Sequence, residues 1–216
     1  MQATAVSAEH ARRVVELGKE LLARRVVGLN GHGNVSVLDR SRGVLWMSGS
    51  SLVDLDEEKV AELDLDGVVV GGSIRATEAE VVRMHTEAYR ARPTAACVVH
   101  THAPHATAFA VASRTLGCVS ESMARQGLVG EVPLAPYAPR GSIAAVGGIV
   151  EALARAPESP AVLLESHGVL VVADSPAAAL RQLMALEEGA QLALLAAPLG
   201  EPRGLSREEA LAVRQP

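Results

Sequence analysis

The sequence predicts an α/β fold, and three observations point to it. Valine-rich apolar runs, one at Cys97–Val99 leading into His100-Thr101-His102 and one over Ala161–Val172, have the length and β-branched character of buried strands. Segments with apolar residues at helical spacing surround them, over about 8–25, 77–91 and 176–197. The 216 residues are 49% hydrophobic but only 2% aromatic, enough for a sizeable core of Val, Leu, Ala and Ile in one domain spanning 1–216.

In chain order, Ser7 is placed as an N-cap and Val14, Leu17, Leu21 and Leu22 recur on one helical face. Gly28-Leu29-Asn30-Gly31-His32-Gly33-Asn34 is a tight, backbone-exposing loop. It reads either as an anion cradle, with Asn34 adding an amide, or as an ordinary helix-to-strand turn. His32 is expected to face solvent. Val35–Leu38 and Val44–Met47 form a hairpin that runs into Met47-Ser48-Gly49-Ser50-Ser51, whose hydroxyls and free amides suit a phosphate or carboxylate, or a solvated turn. The stretch 54–62 reads as charged surface, and Val68–Val70 as a short strand. Thr77-Glu78-Ala79-Glu80 fits a capping box opening the next helix, a structural account of Glu80. In that helix His85 reads as a satisfied core histidine.

Pro104–Ala112 is expected to be helical, 119–127 mixed, 132–137 extended because of its prolines, and 142–156 a small-residue helix. Ala161–Val172 is two apolar runs joined at Ser166-His167-Gly168, with Gly168 supplying the turn or bulge. Ser175-Pro176 caps the last long helix. The core thus covers about 8–195, and the polar tail over 198–216 is expected to be loosely held.

Several function classes are excluded. A net charge of −5 with scattered basic residues and almost no aromatics argues against nucleic acid. No run is long and apolar enough for a membrane, and no secretory leader is read at the start. Two cysteines are too few for a disulfide framework, so a cytoplasmic setting is expected.

The chemistry sits in the histidines. Residues two apart on a strand share a face, so His100 and His102 stand together at a strand end, while Cys97 faces away. They read as a metal pair or as hydrogen-bonded surface histidines. His167, a polar group between two buried strands, needs a partner there, and a metal is one candidate. Three histidines with open positions are the pattern of a catalytic metal rather than a structural zinc. Such a site needs a base, and Glu78 and Glu80 are available at a helix start.

Together these blocks resemble the class II aldolase/adducin family. The resemblance is carried by Gly33-Asn34-Val35-Ser36, Ser48-Gly49, and His85 through Tyr89-Arg90-Ala91-Arg92-Pro93 to Val98-Val99-His100-Thr101-His102. Pro133-Leu134-Ala135-Pro136-Tyr137 and Ser166-His167-Gly168 complete it. The resemblance implies a three-layer α/β/α fold around a mixed, mostly antiparallel sheet, and a homotetramer with sites between neighbouring subunits. It also implies a divalent metal, usually Zn2+ with Mn2+ or Co2+ as alternatives, held by His100, His102 and His167 and also by Glu80. Gly33, Asn34, Ser48 and Gly49 would line the substrate's phosphate or acid group.

The implied activity is a zinc-dependent aldolase-type lyase that cleaves a ketose phosphate or related sugar through a metal-stabilised enediolate, with Glu80 or Glu78 as base. Epimerisation or decarboxylation of a sugar phosphate or sugar acid on the same site is the alternative, and a non-catalytic adducin-like assembly module a further one. The chain departs from relatives in three places. Val81 stands where they carry the catalytic glutamate, Ala76-Thr77 stands where phosphate users carry a Ser-Ser pair, and Ser122 matches the aldolase's tyrosine acid.

Overall fold

The computed structural model describes residues 2–200 and 202–214, with side chains described from residue 8 onward. The helices are α1 (Gln2–Ala23), α2 (Ala76–Ala91), α3 (Pro104–Val111), α4 (Glu121–Arg125), α5 (Ile143–Arg155), α6 (Pro176–Ala196) and α7 (Arg207–Ala212). The strands are β1 (Gly33–Asp39), β2 (Val44–Ser48), β3 (Val60–Asp64), β4 (Val69–Gly71), β5 (Cys97–Thr101), β6 (Leu134–Ala135), β7 (Ala161–Leu164) and β8 (Gly168–Ala173). They form one sheet in the order β4-β3-β2-β1-β5-β8-β7-β6. Its pairs are antiparallel except β6 with β7.

The alternation of side chains on β5 divides the core. Cys97 and Val99 join α1, α3, α4 and α6 on one face of the sheet, and Val98 joins α2 and α5 on the other. The α/β/α sandwich expected from the resemblance is therefore the observed fold. With so few rings, close packing comes from aliphatic side chains around a buried Trp46 and Tyr89.

Four local expectations are corrected. Helix α1 begins well before Ser7, so Ser7 lies inside it, and the helix is ended by Arg25 in the left-handed region (φ 57°). The stretch 54–62 is not all surface. It runs into β3, because Val60 is apolar enough to bury on the α1 face of the sheet and Ala61 and Leu63 on the α2 face, with β2 pairing alongside. The capping box at Thr77 is not formed. Helix α2 starts one residue earlier, with Arg75 at its N-cap and no side-chain cap. Over its described residues the tail is held, not loose. Ser206 and Glu209 form a capping box for α7, Ala210 is fully buried, and the Leu205 amide donates to the Cys118 carbonyl at 2.7 Å.

Candidate metal centre

Three neighbouring strands deliver the site. Register pairs Gly33 of β1 with Thr101 of β5, and Thr101 with Val169 of β8. Gly33-Asn34, His100 to His102, and His167-Gly168 therefore meet at one end of the sheet. The ring centroids of His100 and His102 are 5.2 Å apart, those of His100 and His167 4.6 Å, and those of His102 and His167 5.1 Å. One nitrogen from each ring lies within 4.8 Å of the other two. Among the described residues this is the group of three able to share one ion.

Gly168 makes the convergence possible, though not as a flexible turn. The left-handed residue of the β7–β8 turn is Ser166 (φ 56°). A Cβ at Gly168 would stand 2.6 Å from the Thr101 carbonyl oxygen, 2.8 Å from His102 Cδ2 and 3.3 Å from His100 Cε1. Glycine lets β8 lie against the two histidines.

The donor set is in the state a metal requires. His100 Nδ1–H donates to the Val169 carbonyl at 2.9 Å, which leaves Nε2 with its lone pair. Burial, together with the neighbouring imidazoles, holds the His100 ring well below the usual histidine range. Burial pushes His102 down to about 4 and lowers His167, and the Arg140 charge adds to both shifts. All three rings are therefore neutral near pH 7, as ligands must be. Their chemistry fits a divalent ion. They hold three positions and leave the rest to substrate or water.

The wall beside the histidines is built from Asn34, Ser48 and His85. His85 is fully buried on α2, and burial pushes it down to about 3. Its Nε2–H donates to Asn34 Oδ1 at 2.6 Å, and it accepts from Ser36 Oγ at 2.7 Å. The Tyr89 hydroxyl donates to the Ser36 carbonyl at 2.9 Å. This line of contacts fixes the Asn34 amide with its NH2 unspent by His85. The expectation for His85 as a satisfied core residue holds, and it also orients Asn34.

The loop after β2 departs from its expectation. Ser48 Oγ accepts the Val35 amide at 3.1 Å. The Gly49 amide is not free. It donates to the Lys59 carbonyl at 2.8 Å, and a Cβ there would meet Ser73 O at 2.4 Å. The Arg75 amide donates to Gly49 O, which seats the start of α2 on this loop.

The two glutamates at that start differ. Glu78 is buried on the helix face shared with Val81 and His85. Glu80 is on the outer face, its carboxylate 3.5 Å from Arg140 Nε with both side chains about half exposed. The structure does not bring Glu80 into the histidine group. It lies on the exposed face of α2 beside Arg140 instead. Behind the ligands, α3 starts two residues after His102. The His105 and Ala106 amides at its start each donate at 2.9 Å to the buried Glu187 carboxylate of α6, and His105 Nδ1 contacts the same carboxylate at 2.7 Å. His32 is exposed, as expected.

Sequence reasoning missed Arg140 altogether. It sits in a short turn before α5 with no periodic or motif signal, and only folding sets it beside α2, where its charge acts on His102 and His167.

With this geometry described, comparison with known proteins gives consistent matches. The family Class II Aldolase and Adducin N-terminal domain matches residues 12–194. A 5-deoxy-D-ribulose 1-phosphate aldolase of Bacillus thuringiensis serovar kurstaki is 31% identical over 198 residues, covering 91% of this chain and 89% of its own. A 3-oxo-tetronate 4-phosphate decarboxylase of Haemophilus influenzae is 31% identical over 191 residues, covering 83% and 84%. A solved L-fuculose 1-phosphate aldolase superposes with a TM-score of 0.85 at 26% identity, covering 95% of this chain and 94% of that one.

Proposed function

We propose, from the premise that this chain belongs to the class II aldolase and adducin family, that it is a divalent-metal-dependent lyase acting on a small sugar-derived substrate. The observation that carries the reading is the convergence of three neutral imidazoles at one end of the sheet. His100, His102 and His167 would hold the ion, zinc being our choice. A divalent ion there supplies Lewis acidity toward adjacent hydroxyl and carbonyl oxygens.

The chain's own residues do the rest. The Asn34 amide, oriented by His85, offers a donor to the substrate's phosphate or acid group, and the Ser48 hydroxyl stands beside it. Glu80 accepts or returns the proton that moves when the carbon–carbon bond breaks, and Glu78 is the alternative base. The aldolases and the decarboxylase among the relatives support C–C bond cleavage as the shared reaction type, with aldol cleavage the first choice and epimerisation or decarboxylation the alternatives. The reading includes a homotetramer and a cytoplasmic setting. No helix among the described residues is long and apolar enough to cross a membrane.

A non-catalytic assembly role is disfavoured by the presence of all three histidines. The test is His102→Ala, read for bound zinc by elemental analysis and for turnover on a panel of ketose phosphates and sugar acids by product mass. The variant is expected to lose both. Full turnover in that variant after chelation would end the proposal.

A further inference from the structure

The three histidines are not held alike. His100 lies within β5, paired with Asn34 of β1 and Leu170 of β8. His167 lies in the β7–β8 turn, where its amide donates to the Leu164 carbonyl at 2.9 Å. His102 lies past the end of β5 and before the start of α3, and the ladder pairing stops at Thr101. What fixes it from the far side is the start of α3, and that start is capped in an unusual way. A helix leaves its first amides without partners of its own. Pro104 carries no amide hydrogen, and the Thr107 amide opens the ladder by donating to the Ala103 carbonyl at 2.8 Å. The His105 and Ala106 amides remain. The N-cap, where Ser, Thr, Asp or Asn would accept one of them, is Ala103, fully buried in the core on the α1 and α6 side of the sheet. The acceptor comes instead from α6. Glu187 takes the His105 amide on Oε1 and the Ala106 amide on Oε2, and His105 Nδ1 lies against Oε1. Glu187 is only 9% exposed. A buried carboxylate with both oxygens engaged makes a stiff joint, because charge-assisted bonds are stronger than those of a neutral cap and leaving them costs the burial of an unpaired charge.

We propose that Glu187 is a positioning residue of the metal centre: by clamping the start of α3 to α6 it fixes where His102 presents its ring beside His100 and His167. The proposal rests on the lyase reading, since it concerns the ion which that reading places on the three histidines. Without Glu187 the two amides turn to water and the start of α3 loosens. His102 is then tethered on the β5 side alone and loses its aim. The ladder still holds His100 and the turn still holds His167, so the damage falls on one ligand of the three.

The experiment reads the ion directly, in the full-length protein. Zinc affinity is measured by competition with a chromophoric chelator, and the visible absorption of the Co2+-loaded protein reports the coordination geometry. In Glu187→Ala zinc affinity is expected to fall about ten- to a hundredfold, with cobalt bands shifted from those of wild type. Glu187→Gln keeps the shape and one acceptor oxygen, is expected to lose part of that affinity, and serves if the alanine variant does not fold. Ser175→Ala is the control. It removes the cap of the same helix, α6, at the opposite end of the sheet, just past the end of β8 that pairs with Cys97. It should lower Tm while zinc affinity and the cobalt bands stay at their wild-type values. Wild-type affinity and bands in Glu187→Ala, or in Glu187→Gln if that is the variant that folds, overturn the proposal and leave the lyase reading standing, with Glu187 a cap of α3 alone. So does an equal loss of zinc affinity in Ser175→Ala, which would trace the effect to general destabilisation. A wild type that takes up neither ion ends the lyase reading and the proposal with it.

Discussion

The sharpest test of the site's construction is Gly168→Ala. The added methyl would sit 2.6 Å from the Thr101 carbonyl oxygen, a backbone atom of β5, and 2.8 Å from His102 Cδ2. Restoring ordinary contact requires β8 to retreat from β5 by roughly 0.8 Å, in an interior packed like a crystal. Overpacking of this kind costs about 1–3 kcal/mol. For a chain of this length that lowers Tm by roughly 2–12 °C. The retreat also carries the Val169 carbonyl away from His100 Nδ1, the contact that aims Nε2. Loss of such an orienting hydrogen bond weakens metal binding about ten- to a hundredfold.

The assay is zinc affinity by chelator competition, with thermal unfolding alongside. Gly147→Ala is the control. Nothing lies within 4 Å of a Cβ at that position in α5, so it should leave zinc affinity unchanged and add up to about 1 kcal/mol of stability. A Gly168→Ala protein with wild-type zinc affinity and an unchanged Tm would refute the claim that the absent side chain sets the spacing of the ligands.

Two other expectations follow from buried ionisable groups. Glu187→Ala removes the acceptor of the His105 and Ala106 amides at the start of α3, so urea unfolding should show a loss of about 2–3 kcal/mol. His85 has a folded pKa of about 3, below the value near 6.5 of an unfolded histidine. Between those values the unfolded chain binds a proton that the native state refuses. The stability His85 leaves intact above pH 6.5 is therefore lost as pH falls, at about 1.4 kcal/mol per pH unit. Measured by urea unfolding of metal-free protein from pH 8 to 5, wild type should lose stability more steeply than His85→Gln. Parallel curves would show that His85 does not titrate with folding.

What the sequence determined by itself is the local part. Period-two alternation put His100 and His102 on one face of β5 and Cys97 on the other, because the pleat allows nothing else. The valine runs, the helical spacings and the cap at Ser175-Pro176 located most elements. The order of the motif blocks was enough to place the family. Tertiary structure decided whatever depends on approach across the chain. It brought His167 from the β7–β8 turn to the β5 pair, closed the Gly49 amide onto Lys59, and left Glu80 outside the histidine group, beside Arg140. It also let Val60–Asp64 become a strand, because burial against a neighbour outweighs charge in a stretch of five residues. These outcomes rest on contacts between residues tens of positions apart. No local periodicity encodes them, since each is settled by which atoms the packed sheet leaves room for.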